Sequence, residues 1–279
     1  MTTRNLDDFL NKSVPSIVFT GGKYPENFSR SILFNTVYKK VSDIFIGLSS
    51  SCEKLHNLMN ICEKFHKLNP LSQLIQHNFF TISADSGLKT AEKMNFFSNY
   101  IIGDFDSLKN SHKILKKYPK ECIKSFSTYK NFTDTEIAIK TVFNEFANAF
   151  VILVGGDGGR IDHLLSNFKI FESDNCPNIW FTKNSAIFFL SSDKINSLVV
   201  NKLIFSDYIS IFPLIPTNNL NFSEYKIFSQ GLEWNLDKLN WAKGQYSVSN
   251  RVKSDENRIT LQCKYGRFLV FLPYTCSIE

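Results

Sequence analysis

The chain has 279 residues, of which 43% are hydrophobic and 21% are charged, and its formal net charge is +6. These values are typical of a folded globular protein and exclude a disordered or fibrous one. The positive charge fits a nucleic-acid surface or an anionic small substrate, but the lysines are scattered and no nucleic-acid-binding motif accompanies them. We therefore predict no nucleic-acid partner.

The first residues and the cysteines give an expectation for the compartment. The N-terminal stretch MTTRNLDDFLNKSVPS has no apolar signal core, and no run approaches the ~20 apolar residues of a membrane span. The six cysteines form no C-x-x-C pair, so neither a zinc knuckle nor a redox motif is indicated. We expect a cytoplasmic protein with reduced thiols and no membrane partner.

The first 180 residues alternate between apolar runs and helical patterns. Four runs are predicted strands that end in Asp, Gly or Ser: SIVFTGG (16–22), FFTISADSG (79–87), NYIIGDFDS (99–107) and AFVILVGGDGG (149–159). Helical spacing follows at 88–97, 134–147 and 160–171. Residues 38–78 fit neither pattern and are predicted to be an inserted helical hairpin. The alternation predicts an open, mostly parallel α/β sheet domain at residues 1–180.

The pattern of the chain changes after about residue 180. Short apolar or alternating runs, separated by Pro, Asn and Gly, replace the helical spacing: AIFFL, YISIFPL, YKIFSQG, RITLQCKYG and RFLVFLP. Runs of this length and spacing are typical of β-strands. The sequence therefore predicts a second, all-β domain at residues 181–279.

Polar residues accumulate where the predicted strands of the first domain end. Ligands of open α/β sheets bind beyond the carboxyl ends of the strands, and in a parallel sheet these ends share one edge. We therefore expect one site, built from Gly21, Gly22, Asp85, Asp104, Asp106, Gly155, Gly156 and Asp157.

Asp104 and Asp106 are separated by one aromatic residue and would repel each other without a counter-charge. One of them could cap the following turn while the other is solvated, or both could point the same way from an extended segment and bind one cation. Asp85 and Asp134 favour the second interpretation, because each begins a helical segment beside Ser or Thr. The four acids predict a Mg²⁺ site that also takes the phosphates of a nucleoside triphosphate.

The stretch GGDGGRIDH (155–163) offers a way to hold those phosphates, and the chain has no G-x-x-x-x-G-K-[ST] loop. Its glycines allow backbone N–H groups to approach phosphate, and a helix begins there with its positive end. Arg160 can form a charge-assisted pair, and Asp162 and His163 follow it. A plain turn is the alternative, and we favour the phosphate site.

Seven stretches of the chain, in the same order, resemble motifs of the thiamine pyrophosphokinase (thiamin diphosphokinase) family. They are TGGKYPE (20–26), ADSGLKTAEKM (84–94), YIIGDFDSL (100–108), TDTEIAI (133–139), GGDGGRIDHLLSN (155–167), and GLEWNL with SVSN (231–236 and 247–250). The combination is specific, although each piece alone would not be. The resemblance implies an ATP-binding α/β domain, a C-terminal β-sandwich, and a homodimer that holds thiamine between its subunits. It implies the transfer of diphosphate from ATP to thiamine, which gives thiamine diphosphate and AMP.

The resemblance also assigns roles to residues. The catalytic and Mg²⁺-binding acids are Asp85, Asp104, Asp106 and Asp134. The ATP side comprises Gly21, Gly22, Thr133, Gly158, Gly159, Arg160, Asp162 and His163. The thiamine side comprises Trp234, Ser249 and Asn250.

The chain departs from the family pattern at three places. Asn131 stands where the family often has an acid, the 38–78 segment is longer than usual, and Ser86 replaces a glycine. Two questions stay open at the level of sequence. Asp104 or Asp134 could orient or deprotonate the thiamine hydroxyl, and Trp234 could be a substrate platform or a core residue.

Three alternative functions are also considered from the sequence. One is another Mg²⁺-dependent phosphotransferase or nucleotidyltransferase with a different acceptor. A second is a nucleotide- or thiamine-binding regulator without catalysis, which the intact set of acids argues against. A third is a basic nucleic-acid binder.

Overall fold

The computed structural model describes residues 3–26, 32–48, 79–106, 111–127, 131–214, 224–241 and 244–279. Of the predicted 38–78 hairpin, only the first part falls within these ranges. It belongs to a helix that begins before residue 38 and runs from Ile32 to Leu48. The remainder of the predicted hairpin lies outside the described residues.

Six parallel strands form the larger part of a ten-stranded sheet, in the order β4-β3-β2-β1-β5-β6. Their bounds are Val14–Phe19 (β1), Phe80–Ala84 (β2), Tyr100–Gly103 (β3), Ile123–Ser125 (β4), Ala149–Val154 (β5) and Ile179–Phe181 (β6). Every residue of β2, β5 and β6 is buried, which is why these strands are continuous apolar runs rather than alternating ones. The four strands predicted in this part of the sheet are present, and each ends before its polar residues.

Antiparallel strands complete the large sheet and form a second, four-stranded sheet. The large sheet continues through Ala186–Ser191 (β7), Ile209–Pro213 (β9), Ser247–Asn250 (β11) and Arg267–Leu272 (β13). The small sheet, in the order β10-β12-β8-β14, consists of Lys226–Gln230 (β10), Ile259–Tyr265 (β12), Ser197–Asn201 (β8) and Ser277–Ile278 (β14). Burial alternates along β12, which is typical of a sandwich strand with one face in the core and one face toward solvent.

The predicted fold class, a mostly parallel α/β region followed by an all-β region, is confirmed. The two regions share a sheet, because β6 pairs parallel to β5 on one side and antiparallel to β7 on the other. Leu198 and Leu261 of the small sheet belong to the same apolar cluster as Phe268 and Val270 of the large one. The predicted domain boundary between residues 180 and 181 stays a prediction.

Six α-helices lie among the described residues. They are Leu6–Leu10 (α1), Ile32–Leu48 (α2), Gly87–Lys93 (α3), Ser111–Leu115 (α4), Asp134–Glu145 (α5) and Ile161–Ile170 (α6). Predicted helices correspond to α3, α5 and α6. Helix α3 ends earlier than predicted because Asn95 adopts a left-handed conformation (φ 59°) and the Phe96 N–H donates to the Ala91 carbonyl at 2.8 Å.

Helices cover both faces of the parallel strands. On one face, Phe19 of β1 shares an apolar cluster with Leu33 and Val37 of α2. On the other face, Val18 of β1 shares a cluster with Ala138 and Val142 of α5. This alternation along β1 fixes the register of the strand, because a slip of one residue would exchange the two faces.

Strand β1 lies between β2 and β5, and the chain leaves β1 toward β2 but leaves β5 toward β6, in the opposite direction across the sheet. This reversal is the point at which open α/β sheets bind ligands, beyond the carboxyl ends of the strands. The predicted polar residues follow β1, β2, β3 and β5 at that edge.

The described part of the chain contains no helix with the length and apolar character to cross a bilayer. Its four cysteines are buried and free.

Candidate functional site: a carboxylate-lined cleft

Two glycine-containing loops pair at the carboxyl ends of β1 and β5. The Gly156 N–H donates to the Gly21 carbonyl at 2.7 Å, and Lys23 and Asp157 form an antiparallel bridge. Gly22 has a φ of +90°, and a Cβ on it would lie 2.8 Å from the Asp157 carbonyl oxygen. Only glycine at this position allows the two loops to approach so closely.

The two loops border a cleft of about 540 Å³ at the predicted edge of the sheet. A volume of this size is within the range of small-molecule sites. Its lining contains most of the predicted catalytic and ATP-side residues, together with six residues outside those two predicted groups. The predicted residues are Gly21, Gly22, Asp85, Asp104, Asp106, Thr133, Asp134, Gly158, Arg160 and His163, and the others are Thr20, Ala84, Ser86, Thr135, Gly156 and Asn167.

Three carboxylates meet inside the cleft. Asp85, Asp104 and Asp106 each offer one oxygen, and these oxygens all lie within 4.8 Å of one another. The Asp85 N–H donates to the Ile102 carbonyl at 2.7 Å, so the turn after β2 is attached to the end of β3. Three oxygen ligands at this spacing suit a hard divalent cation.

Asp104 and Asp106 converge, but not from the extended segment that the sequence suggested. Strand β3 ends at Gly103, and Phe105 adopts a left-handed conformation with φ 63°. The Asp106 N–H donates to Asp104 Oδ1 at 3.2 Å, so a tight turn brings the two carboxylates to the same side. A non-glycine residue in this conformation is uncommon and is typical of functional sites.

Asp134 lines the cleft but is not part of the three-carboxylate group. It is the first residue of α5, which begins with a capping box. Thr133 Oγ1 accepts from the Glu136 N–H at 3.2 Å, and Glu136 Oε2 accepts from the Thr133 N–H at 2.7 Å. The TDTE stretch therefore sets the start of the helix and so the position of Asp134.

A buried hydrogen bond fixes this helix end to the sheet. Thr20 Oγ1 and Thr135 Oγ1 are 2.6 Å apart, and both side chains are buried. Asn167 of α6 makes a comparable link on the other side, where its Nδ2 donates to the Gly156 carbonyl at 3.4 Å. Both Thr20 and Asn167 lie inside the quoted stretches, but only the fold shows that they line the cleft.

Arg160 lines the cleft and forms a two-point contact with Asp162. Arg160 Nε lies 3.1 Å from Asp162 Oδ1, and Arg160 Nη2 lies 2.5 Å from Oδ2. The hydrogen bond from Arg160 is the main reason that the pKa of Asp162 is lowered, and Asp162 in turn raises the pKa of Arg160. Asp162 and Gly159, both predicted on the ATP side, do not line the cleft.

The predicted thiamine-side residues lie on the β region and do not line the cleft. Trp234 is 52% exposed, so it is not a core residue. The Arg251 guanidinium lies 5.1 Å from the Trp234 ring centroid and 4.7 Å from that of Phe205. Ser249 has a left-handed conformation (φ 56°), and its N–H donates to Ser210 Oγ.

Asn250 supports Trp234 through the main chain. The Asn250 side chain is fully buried, its Oδ1 accepts from the Trp234 N–H at 3.2 Å, and its Nδ2 donates to the Trp234 carbonyl at 2.8 Å. These bonds occupy the polar atoms of Asn250 within the protein. Direct binding of thiamine by Asn250 stays a prediction.

Two family models match the chain. One is described as "Thiamin pyrophosphokinase, catalytic domain" and matches residues 71–181. The other is described as "Thiamin pyrophosphokinase, vitamin B1 binding domain" and matches residues 196–268. Together they cover more than half of the chain, and the carboxylates of the cleft fall in the first match whereas Trp234 falls in the second.

Comparison with individual proteins gives the same family. Thiamine pyrophosphokinase 1 of Oryza sativa subsp. japonica is 23% identical over 175 residues, which are 60% of this chain and 64% of that relative. The matched region thus spans less than two thirds of the curated relative's length.

Solved structures are similar over nearly the whole chain. A thiamin pyrophosphokinase family protein from Enterococcus faecalis has a TM-score of 0.60 at 17% identity, covering 94% of this chain and 99% of that one. Thiamine pyrophosphokinase from Bacillus subtilis also has a TM-score of 0.60 at 17% identity, with 93% and 98% coverage. The yeast enzyme has a TM-score of 0.53 at 17% identity, with 98% and 93% coverage. At these identities the likeness establishes the fold.

Proposed function

The chain belongs to the thiamin pyrophosphokinase family, and we propose that it transfers the diphosphate group of ATP to the hydroxyl of thiamine. The products are thiamine diphosphate and AMP. The observation that carries this proposal is the meeting of Asp85, Asp104 and Asp106 beside two paired glycine loops. Carboxylates suit a divalent cation and glycine loops suit phosphate, so the cleft has the parts that a metal-dependent phosphotransferase requires.

We assign Mg²⁺ to Asp85, Asp104 and Asp106, because their carboxylate oxygens lie within 4.8 Å of one another. When bound there, the ion would neutralise charge on the phosphate oxygens of ATP. Asp134, which the resemblance placed in the same ligand set, is outside this group. We therefore assign Asp134 a different role.

In the proposed reaction, the thiamine hydroxyl oxygen forms a bond to the β-phosphorus of ATP. The bond between the β-phosphorus and the bridging oxygen to the α-phosphate breaks, and AMP leaves with that electron pair. We propose that the Asp134 carboxylate accepts the proton of the hydroxyl, because Asp134 lines the cleft without belonging to the metal group. Thr133, Thr135 and Glu136 hold the start of α5 and so keep Asp134 in place.

The ATP side of the cleft consists of the two glycine loops, the start of α6, and Arg160. Backbone N–H groups and the positive end of α6 favour an anion. Arg160 supplies a charged fork that suits phosphate oxygens. We propose that a phosphate group shares or replaces the contact of Arg160 with Asp162.

Replacement of Arg160 by alanine tests this assignment. A charge-assisted contact contributes roughly 1.5 to 3 kcal/mol, so we expect Arg160→Ala to weaken ATP binding by about tenfold or more. The free energy of unfolding should hardly change, because the Arg160 side chain is 73% exposed. Titration calorimetry with ATP and thermal unfolding measure the two quantities.

Arg258→Ala is a matched control, because Arg258 forms an exposed pair with Glu279 in the β region. It removes the same charge and an equivalent contact away from the cleft. If Arg160→Ala lost stability and kept its affinity for ATP, Arg160 would be a structural residue.

We propose that thiamine binds on the Trp234 surface and that the protein acts as a homodimer. Trp234 does not line the acid cleft of its own chain, and a second copy would bring such a surface to the cleft. Trp234 is 52% exposed, Asn250 holds its main chain, and the Arg251 guanidinium lies over its ring. An exposed and fixed indole suits stacking on a pyrimidine and contact with the cationic thiazolium.

Trp234→Ala is expected to raise the KM for thiamine about 5- to 150-fold, since stacking of a base on an aromatic ring is worth ~1 to 3 kcal/mol. The KM for ATP should stay near its original value. Trp241→Ala is the contrasting variant, because Trp241 is buried against Phe268 and its loss should cost ~3 to 5 kcal/mol of stability. A large loss of stability in Trp234→Ala, with an unchanged KM for thiamine, would end the stacking proposal.

Incubation of the protein with ATP, Mg²⁺ and thiamine, followed by mass detection of thiamine diphosphate and AMP, tests the reaction itself. Release of AMP only with another acceptor would identify a different transferase. ATP binding without turnover of any acceptor would identify a regulator. We further propose that residues 1–180 and 181–279 act as ATP-binding and thiamine-binding domains of a cytoplasmic enzyme.

A further inference from the structure

The cleft has few cations for a site that is to hold a polyphosphate. Four carboxylates line it, from Asp85, Asp104, Asp106 and Asp134, and Arg160 is the one Lys or Arg among the described lining residues. Asp162 already contacts Arg160 at two points. Even with a divalent cation on the carboxylates, the nucleotide would need another positive group nearby.

Lys23 does not itself line the cleft but lies next to glycines that do. It directly follows the first glycine loop, and its N–H donates to the Asp157 carbonyl at 2.5 Å. The Asp157 N–H donates back to the Lys23 carbonyl at 3.3 Å, so the backbone of Lys23 is held against the second glycine loop.

The side chain of Lys23 crosses that loop at Gly158. A Cβ on Gly158 would lie 2.6 Å from Lys23 Cδ and 3.0 Å from Lys23 Cε, and Gly158 has a φ of +62°. The absence of a side chain at Gly158 therefore makes room for the lysine stem. Because Nζ is one bond beyond Cε, the ammonium group lies beside a loop that lines the cleft.

The charge of Lys23 is available for a ligand. Lys23 is exposed, and no carboxylate in the described part of the chain lies within 4.0 Å of its Nζ. An ammonium group on a flexible stem is a point charge that can follow a phosphate oxygen without a fixed geometry. This property differs from the two-point contact that Arg160 makes.

We propose that Lys23 is a second phosphate-binding cation of the cleft and contacts the polyphosphate of ATP across Gly158. The identity of the ligand as ATP rests on the proposed function. The glycine at position 158 then has a specific purpose, which is to let the lysine stem pass over the loop. Neither the acids nor the Arg160 loop requires a lysine at position 23, so the assignment adds a residue to the site.

The test measures binding of ATP with Mg²⁺ in the absence of thiamine, by titration calorimetry on the full chain. We expect Lys23→Met to weaken ATP binding at least tenfold, which is the size of a charge-assisted contact. Lys23→Arg should bind within about threefold of the original protein, because the charge is kept. AMP, which has one phosphate, should lose less affinity than ATP.

Lys12→Met is the matched control. Lys12 is also exposed, but it precedes β1 and so lies at the amino end of the strand whose carboxyl end leads to Lys23. Both variants remove one positive charge, and thermal unfolding shows whether either affects the fold. A loss of ATP affinity in Lys23→Met no greater than that in Lys12→Met would overturn the proposal.

The result for Lys23 can be distinguished from the result for the proposed reaction. If ATP bound through Lys23 but thiamine were not diphosphorylated, the proposed reaction would be wrong and the role of Lys23 would stand. If thiamine diphosphate formed and Lys23→Met bound ATP normally, only the role of Lys23 would be wrong. If the original protein bound no ATP, both would be wrong.

Discussion

Asp106→Asn is expected to lower turnover by about two to three orders of magnitude and to leave the fold intact, a loss comparable to removing a principal transition-state contact. Asp106 is one of three carboxylates whose oxygens lie within 4.8 Å of one another, so its removal takes away a ligand and a charge from the metal group. Asp106 is also exposed, and its neutralisation relieves repulsion from Asp85 and Asp104. The free energy of unfolding should therefore stay the same or rise.

Two measurements check this expectation. Initial rates across a range of Mg²⁺ concentrations give the loss of turnover, and titration with Mn²⁺ gives the change in affinity for a divalent cation. Asp255→Asn is the control, because Asp255 is an exposed acid of the β region that lies away from the cleft. Near-normal activity with a chelator present, or unchanged Mn²⁺ affinity in Asp106→Asn, would contradict the metal assignment.

The parallel strands could be predicted because both faces of the sheet are covered. Runs such as FTISA and AFVILV are buried at every residue, and such runs stand out from the helical spacing between them. The predicted ends of helices are less accurate than the predicted strands, because the end of a helix depends on the backbone conformation of single residues. Asn95, for example, ends α3 through a left-handed conformation that the sequence permits but does not require.

The continuity of the large sheet was not visible in the sequence. Strand β6 is only three residues long, Ile179–Phe181, and it pairs with strands of both regions. The sequence of such a short apolar run does not indicate which two strands pair with it. The prediction of two separate regions therefore described the composition correctly but could not show that they share one sheet.

The acid cluster could be predicted from topology alone. Asp85 follows one strand and Asp104 follows its neighbour, so the parallel arrangement brings them together. The turn at Phe105 could not be predicted, because no sequence pattern indicates that a phenylalanine adopts a left-handed backbone conformation. Contacts between distant elements, such as Thr20 with Thr135, likewise depend on helix placement rather than on local pattern.

The Arg160 loop shows a further limit of sequence patterns. The spacing G-G-R-x-D-H put Arg160, Asp162 and His163 together on the ATP side, but the structure divides them. Arg160 and His163 line the cleft, whereas Asp162 contacts Arg160 from outside it. A pattern gives residue identity and order, and it does not distinguish a residue that faces the ligand from one that contacts its neighbour.

The separation of Asp134 from the other three acids leads to the second large effect. Asp134→Asn is expected to lower kcat by about 10²- to 10⁴-fold, the range found for general acid–base groups, with little change in Mn²⁺ affinity. Asp134 begins α5 beside the capping box of Thr133 and Glu136, which the substitution leaves in place. The loss of a negative charge at a helix start should cost no more than about 1 kcal/mol of stability.

The comparison with Asp106→Asn makes the test decisive, because the two variants remove the same charge from the same cleft. A metal ligand loses Mn²⁺ affinity together with activity, whereas a proton acceptor loses kcat and keeps the affinity. Titration with Mn²⁺ and single-turnover rates at saturating Mg²⁺ measure the two properties on each variant. If Asp134→Asn lost Mn²⁺ affinity as strongly as Asp106→Asn, Asp134 would be a fourth ligand of the metal, as the family resemblance first implied. If it kept both affinity and kcat, the hydroxyl proton would be accepted elsewhere and Asp134 would serve only to begin the helix.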